Sequence, residues 1–367
     1  MYKQQRILFL TLYTFSLTGG IEKVCRSVIK MLSDVVVELC YHVDALSLYD
    51  HEKVDKYTPH VHFEYVKGNK IRFLWKALKA GSKADTIILS HINLLIFGLI
   101  IKKMRPKARI ILFAHGIEIW KKLSSWKRAF LSTNVEIWAV STYTAMMIRE
   151  KHGIDRARIH ILNNGLDPFL QPVPAFEKPD HLIQKHHISG NHRILFTLAR
   201  LSSSEQYKGY DIVLEAMRSL PSNVVYLLSG QADEAEKKRI LKLIDDYQLN
   251  DRVKLTGFLP DDQLSDYYLL ADIFVMPSLG EGFGITFIEA AAHGCPSIAG
   301  NLDGSRDALL NGRLGSLVDP KNVKEVTSAI RTQLEKGRLS KHSLSLQQEC
   351  LKHFSYQQHK LNFIHLL

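Results

Sequence analysis

One stretch, ADIFVMPSLGEGFGITFIEAAAHGCPSIAG at residues 271–300, constrains the fold of this chain more than any other part of its sequence. Its apolar run at 273–276 is typical of a buried parallel strand, and a glycine-rich loop follows it. The next residues, 285–293, have a helical pattern that ends at Gly294 and Pro296, before a second apolar run. The stretch therefore predicts a strand–loop–helix–strand unit of a parallel α/β sheet.

Two glutamates in this unit, Glu281 and Glu289, are candidates for ligand binding. Glu281 lies in the loop at the carboxyl edge of the sheet, where open α/β sheets bind ligands, and Glu289 lies about a turn into the helix. Ionised carboxylates accept hydrogen bonds and so suit sugar hydroxyls, whereas a helix N-terminus favours an anion such as phosphate. The implied ligand carries hydroxyl-rich rings and a phosphate. The alternative is a surface loop followed by an ordinary exposed glutamate.

Strand-like and helix-like segments alternate along the whole chain, which predicts doubly wound parallel sheets. In the first part, strands are predicted at residues 7–12, 35–41, 60–65, 86–89, 109–113, 136–140 and 158–162, and helices at 21–32, 71–80, 94–104 and 142–151. In the second part, strands are predicted at 194–198, 224–228, 253–255, 273–276, 297–299 and 316–318, and helices at 210–219, 233–247, 262–270, 285–293 and 322–335. We expect an α/β protein with two facing Rossmann-like domains, residues 1–168 and 191–350, and a cleft between them. Residues 169–190 are proline-rich and are interpreted as a linker, and residues 351–367 as a helix that packs back on the first domain.

Charge is distributed unevenly along the 367 residues. Residues 1–180 contain 27 Lys and Arg against 16 Asp and Glu, whereas the remainder contains 21 of each, so the net charge of +11 belongs to the first part. The four cysteines lack metal or redox spacing, which favours a reducing cytosol. No signal peptide is indicated, and the longest apolar run, 92–101, is too short to span a bilayer, so we expect any membrane contact to be peripheral.

An ordered set of short motifs runs through the chain. The most specific is PSLGEGFGITFIEAAAHGCPSIA, in which seven residues separate Glu281 from Glu289; the others are TGGIE at 18–22, HG at 115–116, NNGLD at 163–167, Arg200 with Lys208-Gly209, Gly257-Phe258, DGS at 303–305 and GSLVDP at 315–320. With this set, the chain resembles the retaining glycosyltransferases of family 4, which have the two-domain GT-B fold. The resemblance implies transfer of a hexose-type sugar from a UDP-sugar or GDP-sugar to a glycan or lipid-linked acceptor, in the synthesis of a cell-surface polysaccharide or glycolipid.

The resemblance also implies a role for each matching residue. Glu281 would hold hydroxyls of the donor sugar, and Glu289 would bind the ribose. Arg200 and Lys208 would neutralise the donor diphosphate, and His115 would lie near the donor sugar. Further donor contacts are implied at Gly19, Gly20, Gly257, Phe258, Phe283, Gly284 and Ile285. Two turns depart from the family pattern, at 229–231 and 301–303, and both lie outside the core signature.

The expected chemistry is cleavage of a sugar–phosphate bond, which leaves a nucleotide whose negative charge must be neutralised. The sequence contains no Asp-x-Asp motif, and Arg200 and Lys208 are good partners for phosphate, so we expect a reaction that needs neither metal nor cofactor. The alternative for these two cations is a solvated loop. We favour attack on the same face of the sugar, with the departing phosphate taking the acceptor proton. Double displacement with Glu281 as nucleophile, as in retaining glycosidases, stays open.

Two basic stretches bear on the identity of the acceptor. The first, at 70–83, places Ile71, Leu74, Trp75 and Leu78 on one helical face beside lysines, and the second, at 120–131, interleaves Trp120, Leu123, Trp126 and Phe130 with four cations. Such segments are typical of helices at a membrane surface, and they fit equally a core-facing stripe whose lysines extend to solvent. We expect a cytoplasmic protein, peripheral on an anionic inner membrane face. No nucleic-acid-binding module is recognisable.

Two other functions stay open at this point. One is a nucleotide-sugar epimerase or phosphorylase with the same fold, which the Glu-x7-Glu motif argues against. The other is a catalytically silent protein that binds sugar or membrane. Slow hydrolysis of the donor without acceptor would separate an enzyme from a silent binder.

Overall fold

The computed structural model describes residues 4–338 and 340–367 and contains two parallel sheets, each in its own unit of the chain. The first unit comprises residues up to Leu170 together with Phe354–Leu367, and the second comprises Gln171–His353. Both sheets alternate with helices along the sequence, so the predicted α/β class with two Rossmann-like domains is confirmed. Among the described residues, no helix is long and apolar enough to cross a membrane.

From residue 4 onward, where the structure describes it, the first unit has seven parallel strands. They are β1 Arg6–Thr11, β2 His42–Ser47, β3 His62–Tyr65, β4 Thr86–Leu89, β5 Arg109–Ala114, β6 Val135–Ala139 and β7 Ile159–Ile161. The helices among them are α1 Gly20–Glu38, α2 Lys70–Gly81, α3 Leu95–Met104, α4 Ile117–Trp120, α5 Ser125–Asn134 and α6 Thr142–His152. The strand order β3-β2-β1-β4-β5-β6-β7 reverses direction between β1 and β4, which makes this position the topological switch point of the sheet.

Strand β2 begins later than the sequence pattern indicates, so the prediction of a strand at 35–41 is wrong. Val35 and the two valines after it belong to α1, in which Val28, Leu32 and Val35 are buried together. Their spacing of four and three residues is helical, and the burial of that face outweighs the β-propensity of consecutive valines. The strand starts only at His42.

The described residues of the second unit form six parallel strands in the order β10-β9-β8-β11-β12-β13, with the switch point between β8 and β11. The strands are β8 Arg193–Leu198, β9 Val224–Ser229, β10 Val253–Gly257, β11 Ile273–Met276, β12 Ser297–Gly300 and β13 Gly315–Val318. The helices are α7 Asp180–Lys185, α8 Tyr210–Met217, α9 Glu234–Asp246, α10 Leu264–Leu270, α11 Ile285–Ala292, α12 Ser305–Ala308, α13 Val323–Lys336 and α14 Ser340–Phe354. Strand β11 is buried at every position, as expected for a strand covered on both faces.

The segment at 171–190, which we interpreted as part of a linker, belongs to the second unit. It contains α7, and the ammonium of Lys178 donates to the Asp272 carboxylate at 2.7 Å. After α14 the chain continues into helix α15, Tyr356–Leu366, which contacts α1 in the first unit. The Tyr356 hydroxyl donates to Asp34 at 2.7 Å, so both side chains hold α15 against that helix.

The two basic stretches differ in the face that each one exposes. On α2, Phe73 and Ala77 point into the core, whereas Ile71 is 83% exposed and Trp75 is 59% exposed. In the stretch at 120–131 the structure agrees with the core-facing alternative for three of the four apolar residues, because Trp120, Leu123 and Phe130 are buried and Trp126 is exposed. Helix α3 contacts both α2 and α5, so these three helices are neighbours on one side of the sheet.

Candidate functional site

The strand–loop–helix at 273–292 has the predicted bounds. Strand β11 ends at Met276, a loop containing Glu281 follows, and α11 begins at Ile285. Phe283 is buried beneath the loop, Gly284 is the residue before the helix, and Ile285 is half-buried. The loop lies at the carboxyl end of β11, next to β8 at the switch point of the sheet, which is where doubly wound sheets bind ligands.

Lys208 and Glu281 form an ion pair at this switch point, in which the Lys208 ammonium donates to the Glu281 carboxylate. Only 16% of the Lys208 side chain and 13% of the Glu281 side chain are exposed. Burial opposes the charge on Lys208, but the neighbouring Glu281 carboxylate outweighs it and raises the pKa of the ammonium. The cation therefore stays charged at any physiological pH.

The turn that carries Lys208 is docked directly on the end of β11. Gly209 follows Lys208 with φ of +80°, and a Cβ there would lie 2.1 Å from the carbonyl oxygen of Pro277. The Leu279 amide donates to the Tyr207 carbonyl at 2.8 Å. Glycine is required at position 209 because both the left-handed backbone and the close approach exclude a side chain.

Arg200 follows β8, but the structure gives it a different partner from Lys208. Its guanidinium donates to the Glu205 carboxylate at 3.0 Å, and 64% of its side chain is exposed. The two cations that we predicted as a pair on the diphosphate thus lie after the same strand, one in an ion pair with Glu281 and one at the surface.

Glu289 is buried in the second turn of α11, with 6% of its surface exposed. The Tyr268 hydroxyl donates to one of its carboxylate oxygens at 2.9 Å. Burial, together with the nearby Glu289 carboxylate, raises the pKa of Tyr268, so this hydroxyl remains a donor. His293 stacks on the Tyr268 ring, and its Nδ1 donates to the Glu289 carbonyl at 2.7 Å, which fixes the end of the helix.

Asp303 is a site residue whose role the sequence did not reveal. Its carboxylate accepts hydrogen bonds from the Ser278 hydroxyl at 2.6 Å, the Glu281 amide at 2.8 Å and the Ser305 amide at 2.9 Å. Burial raises the pKa of Asp303 to about 6, although these three donors favour its ionised form. The one signal was the departure from the family pattern at 301–303, which indicates a different turn but names no partner.

The remaining predicted residues of the second unit lie at the end of β10. Gly257 ends that strand with φ of +75°, and its carbonyl accepts from the Gly230 amide at 2.8 Å. Phe258 follows with 52% of its surface exposed. Strand β9 separates β10 from β8, so these two residues are two strands away from the switch point.

In the first unit, the predicted residues lie at the carboxyl ends of β1 and β5. Gly19 caps α1 and Gly20 opens it, with open space around a Cβ built on Gly20. His115 follows β5; its Nε2 lies 2.8 Å from the Ser90 carbonyl, and its amide donates to the Glu118 carboxylate at 2.6 Å. Ser90 itself follows β4, the strand between β1 and β5. Gly19, Gly20 and His115 therefore lie at the same edge of one sheet.

Comparison with known families identifies the chain. Residues 18–169 match the family described as Glycosyltransferase Family 4, and residues 179–348 match the one described as Glycosyl transferases group 1. The chain belongs to glycosyltransferase family 4, as the ordered motifs predicted.

Individual relatives and solved structures agree with this assignment. The chain is 30% identical over 244 residues to the GDP-mannose-dependent alpha-(1-6)-phosphatidylinositol monomannoside mannosyltransferase of Mycobacterium tuberculosis, a match that covers 62% of this chain and 61% of that protein. The chain thus spans about three fifths of the length of this relative. In fold it is similar to Anabaena HepE in complex with UDP and glucose, with a TM-score of 0.80, 19% identity and 99% of each chain covered. It is also similar in fold to sucrose-phosphate synthase from Thermosynechococcus elongatus, with a TM-score of 0.78 and 20% identity; the match covers 99% of this chain and 98% of that one. The fold is therefore GT-B.

Proposed function

We propose that this protein is a retaining glycosyltransferase that moves a hexose-type sugar from a nucleoside-diphosphate sugar without a metal ion. The observation that carries the proposal is the Lys208–Glu281 pair at the switch point, directly before the helix that holds Glu289. The strand–loop–helix thus supplies an acceptor for sugar hydroxyls and a second, buried carboxylate, and the turn after β8 brings a cation to its loop. Such a set fits the three parts of a nucleotide sugar: diphosphate, sugar and ribose.

Each charged residue then has one task in the reaction. Lys208 and Arg200 neutralise the negative charge that develops on the departing nucleotide, which is the largest electrostatic demand of the step. Because the Glu281 carboxylate outweighs burial and keeps Lys208 charged, no proton has to move before Lys208 acts. Glu281 accepts hydrogen bonds from donor-sugar hydroxyls, with the start of α11 at Phe283, Gly284 and Ile285 beside it. We propose same-face attack, in which the leaving phosphate takes the acceptor proton. We also propose that His115 lies near the donor sugar.

Binding of free nucleotide tests the division of work between the two glutamates. Glu289→Ala should weaken the binding of UDP or GDP by about 1–3 kcal/mol, because the ribose hydroxyls lose a buried acceptor. Glu281→Ala should leave free nucleotide binding unchanged within about twofold and abolish transfer from the sugar nucleotide. Calorimetric titration of both nucleotides is the measurement, because one relative is named as GDP-mannose-dependent and one structural neighbour holds UDP.

The control for this titration is Glu335→Ala, which changes an exposed glutamate on α13 of the same unit. Equal losses of nucleotide affinity in the Glu281 and Glu289 variants would contradict the assigned roles. Slow donor hydrolysis without acceptor identifies an enzyme, whereas nucleotide binding with no turnover would favour a silent sugar-binding protein. An epimerase would convert the donor sugar while it is still attached to the nucleotide.

We further propose that the acceptor is a glycan or lipid-linked phosphate presented on an anionic membrane surface. Support comes from α2, because the side chains of Ile71, Leu74 and Trp75 on its outward face are exposed. The Lys79 ammonium lies 4.9 Å from the Trp75 ring centroid, so cation and aromatic ring share that face. Beside it, a groove of about 250 Å³ is lined by more cations than carboxylates: Arg6, Lys76, Lys79 and Lys83 against Asp44 and Glu64. Exposed aromatic and aliphatic groups flanked by cations are what interfacial helices present to lipid.

A vesicle-binding assay tests the membrane proposal. The protein should sediment with anionic vesicles and not with neutral ones, because each Lys or Arg near such a surface is worth about 1 kcal/mol. Ile71→Ser combined with Trp75→Ser should abolish sedimentation and leave donor hydrolysis unchanged. Leu241→Ser is the matched control, since Leu241 is an exposed apolar residue on α9 of the second unit. Failure of the wild type to bind anionic vesicles at low salt would refute this part of the proposal.

A further inference from the structure

We propose that Asp303 is a positioning residue, which holds the main chain at Glu281 in the conformation that sugar transfer requires. This inference rests on the proposed function, because it concerns the same donor-binding loop. Asp303 lies in the loop between β12 and α12, and 1% of its surface is exposed. Its carboxylate contacts protein groups of the donor loop and of its own turn.

The hydrogen bonds of Asp303 require a carboxylate. Oδ2 accepts from the Ser278 hydroxyl and from the Glu281 amide, and Oδ1 accepts from the Ser305 amide. An asparagine has one acceptor atom and one donor atom, so it would place an N–H group against at least one of these donors. A buried ionised acid costs free energy unless it is fully hydrogen-bonded, and here each donor offsets part of that cost.

The residue after Asp303 holds the same peptide from its other side. The Gly304 amide donates to the Glu281 carbonyl at 2.9 Å, while the Glu281 amide donates to Asp303. Both backbone polar groups of Glu281 are therefore fixed by two consecutive residues. With its main chain held in this way, the Glu281 side chain is directed at Lys208.

The ionised state of Asp303 should make this support sensitive to pH. Burial, with a smaller contribution from the Glu281 carboxylate, raises the pKa of Asp303 to about 6, against the hydrogen bonds from Ser278 and the two amides, which lower it. Lys208, which pairs with Glu281, is the cation that faces the same loop. Protonation of Asp303 would replace an acceptor by an O–H donor, and the Glu281 amide would lose its partner. Transfer should therefore fall as the pH drops through about 6.

The test compares kcat for transfer with the affinity for free nucleotide across pH 5–8. Asp303→Asn should lower kcat about ten- to a hundredfold, as for a small misplacement of a reacting group, and leave the Kd for UDP or GDP within about twofold. Its residual kcat should no longer fall at acidic pH, because no titrating group remains at position 303. Ser278→Ala removes a hydrogen bond that lowers the pKa of Asp303, so it should move the fall in kcat to higher pH. Asp319→Asn is the control, since Asp319 also accepts a main-chain hydrogen bond, from Lys321 at 2.9 Å.

The outcomes separate this inference from the proposed function. If the wild type neither transfers nor hydrolyses a donor, the proposed function fails, and the positioning role falls with it. If the wild type is active and Asp303→Asn retains its kcat, the positioning role alone is refuted. Parallel loss of kcat and nucleotide affinity in Asp303→Asn, with a lowered melting temperature, would mean that Asp303 only supports folding. If kcat of Ser278→Ala falls at the same acidic pH as kcat of the wild type, the inference is equally overturned.

Discussion

Gly304→Ala is the sharpest single test of how the donor loop works. A Cβ on Gly304 would lie 2.1 Å from the Gly282 carbonyl oxygen and 2.9 Å from the Glu281 carbonyl oxygen. The backbone of Gly304 has φ of −68°, which alanine adopts without strain, so the whole effect of the substitution is steric. To reach ordinary van der Waals contact, which begins at 3.4 Å, the main chain at Gly282 would have to retreat by more than 1 Å.

A retreat of that size moves Glu281, the residue directly before Gly282, relative to Lys208. Displacement of a reacting group by about 1 Å costs on the order of a hundredfold in rate. We therefore expect Gly304→Ala to lower kcat for transfer about a hundredfold and to leave the Kd for free UDP or GDP within about twofold. Nucleotide affinity is spared because Glu289 lies in α11 and its partner Tyr268 in α10, both outside the displaced loop.

The assay is steady-state transfer at saturating donor, paired with calorimetric titration of the free nucleotide. Gly190→Ala is the matched control, because a Cβ there has no heavy atom within 4 Å and no positive φ is required. Transfer within about twofold of wild type in Gly304→Ala would refute the reasoning, since the contact distance leaves no room for an unchanged loop. A drop in nucleotide affinity equal to the drop in kcat would instead show that the whole site had moved.

Two further predictions concern charge. Lys208→Ala and Arg200→Ala should each lower kcat about a hundred- to a thousandfold, and activity should survive EDTA; full loss with chelator, restored by Mn²⁺ or Mg²⁺, would refute the metal-free account. His359 is buried in the first unit and burial lowers its pKa to about 4, so the unfolded chain binds the extra proton between that pH and the ordinary value of about 6.5. Its contribution to stability is complete above pH 6.5 and declines by about 3 kcal/mol as the pH falls to 4, a slope that His359→Gln should reduce in denaturant titrations; identical slopes in both proteins would contradict it.

Much of the fold follows from periodicity. Strands covered on both faces have continuous apolar runs, and the run at 273–276 matches β11 residue for residue. The pattern failed at 35–41, where three consecutive valines have high β-propensity yet belong to a helix, and only the first of them, Val35, lies on its buried face. In that segment the packing of Val28, Leu32 and Val35 decided the outcome, and a local preference cannot report such tertiary burial.

Exposure was harder to predict than secondary structure. Both basic stretches have apolar residues at helical spacing, and in sequence they are indistinguishable. The structure separates them, because Trp120 packs against Tyr143 at 5.3 Å between ring centroids, whereas Trp75 lies under a lysine at the surface. Which face of an amphipathic segment meets the core depends on the element that packs on it, and that element is distant in the chain.

The residues that hold the site loops in place were the least predictable, and they share one physical device. Asp50 is completely buried and accepts the amides of Thr14, Phe15 and Ser16, just before the Gly19-Gly20 turn, as Asp303 accepts the amide of Glu281. Asp50 lies 36 residues from Thr14 and Asp303 lies 22 residues from Glu281, so neither contact leaves a local pattern. A motif marks side chains that meet the substrate, but these carboxylates bind main-chain amides, which every residue type except proline supplies. Substitution of either aspartate should therefore alter catalysis without changing any side chain that touches the donor.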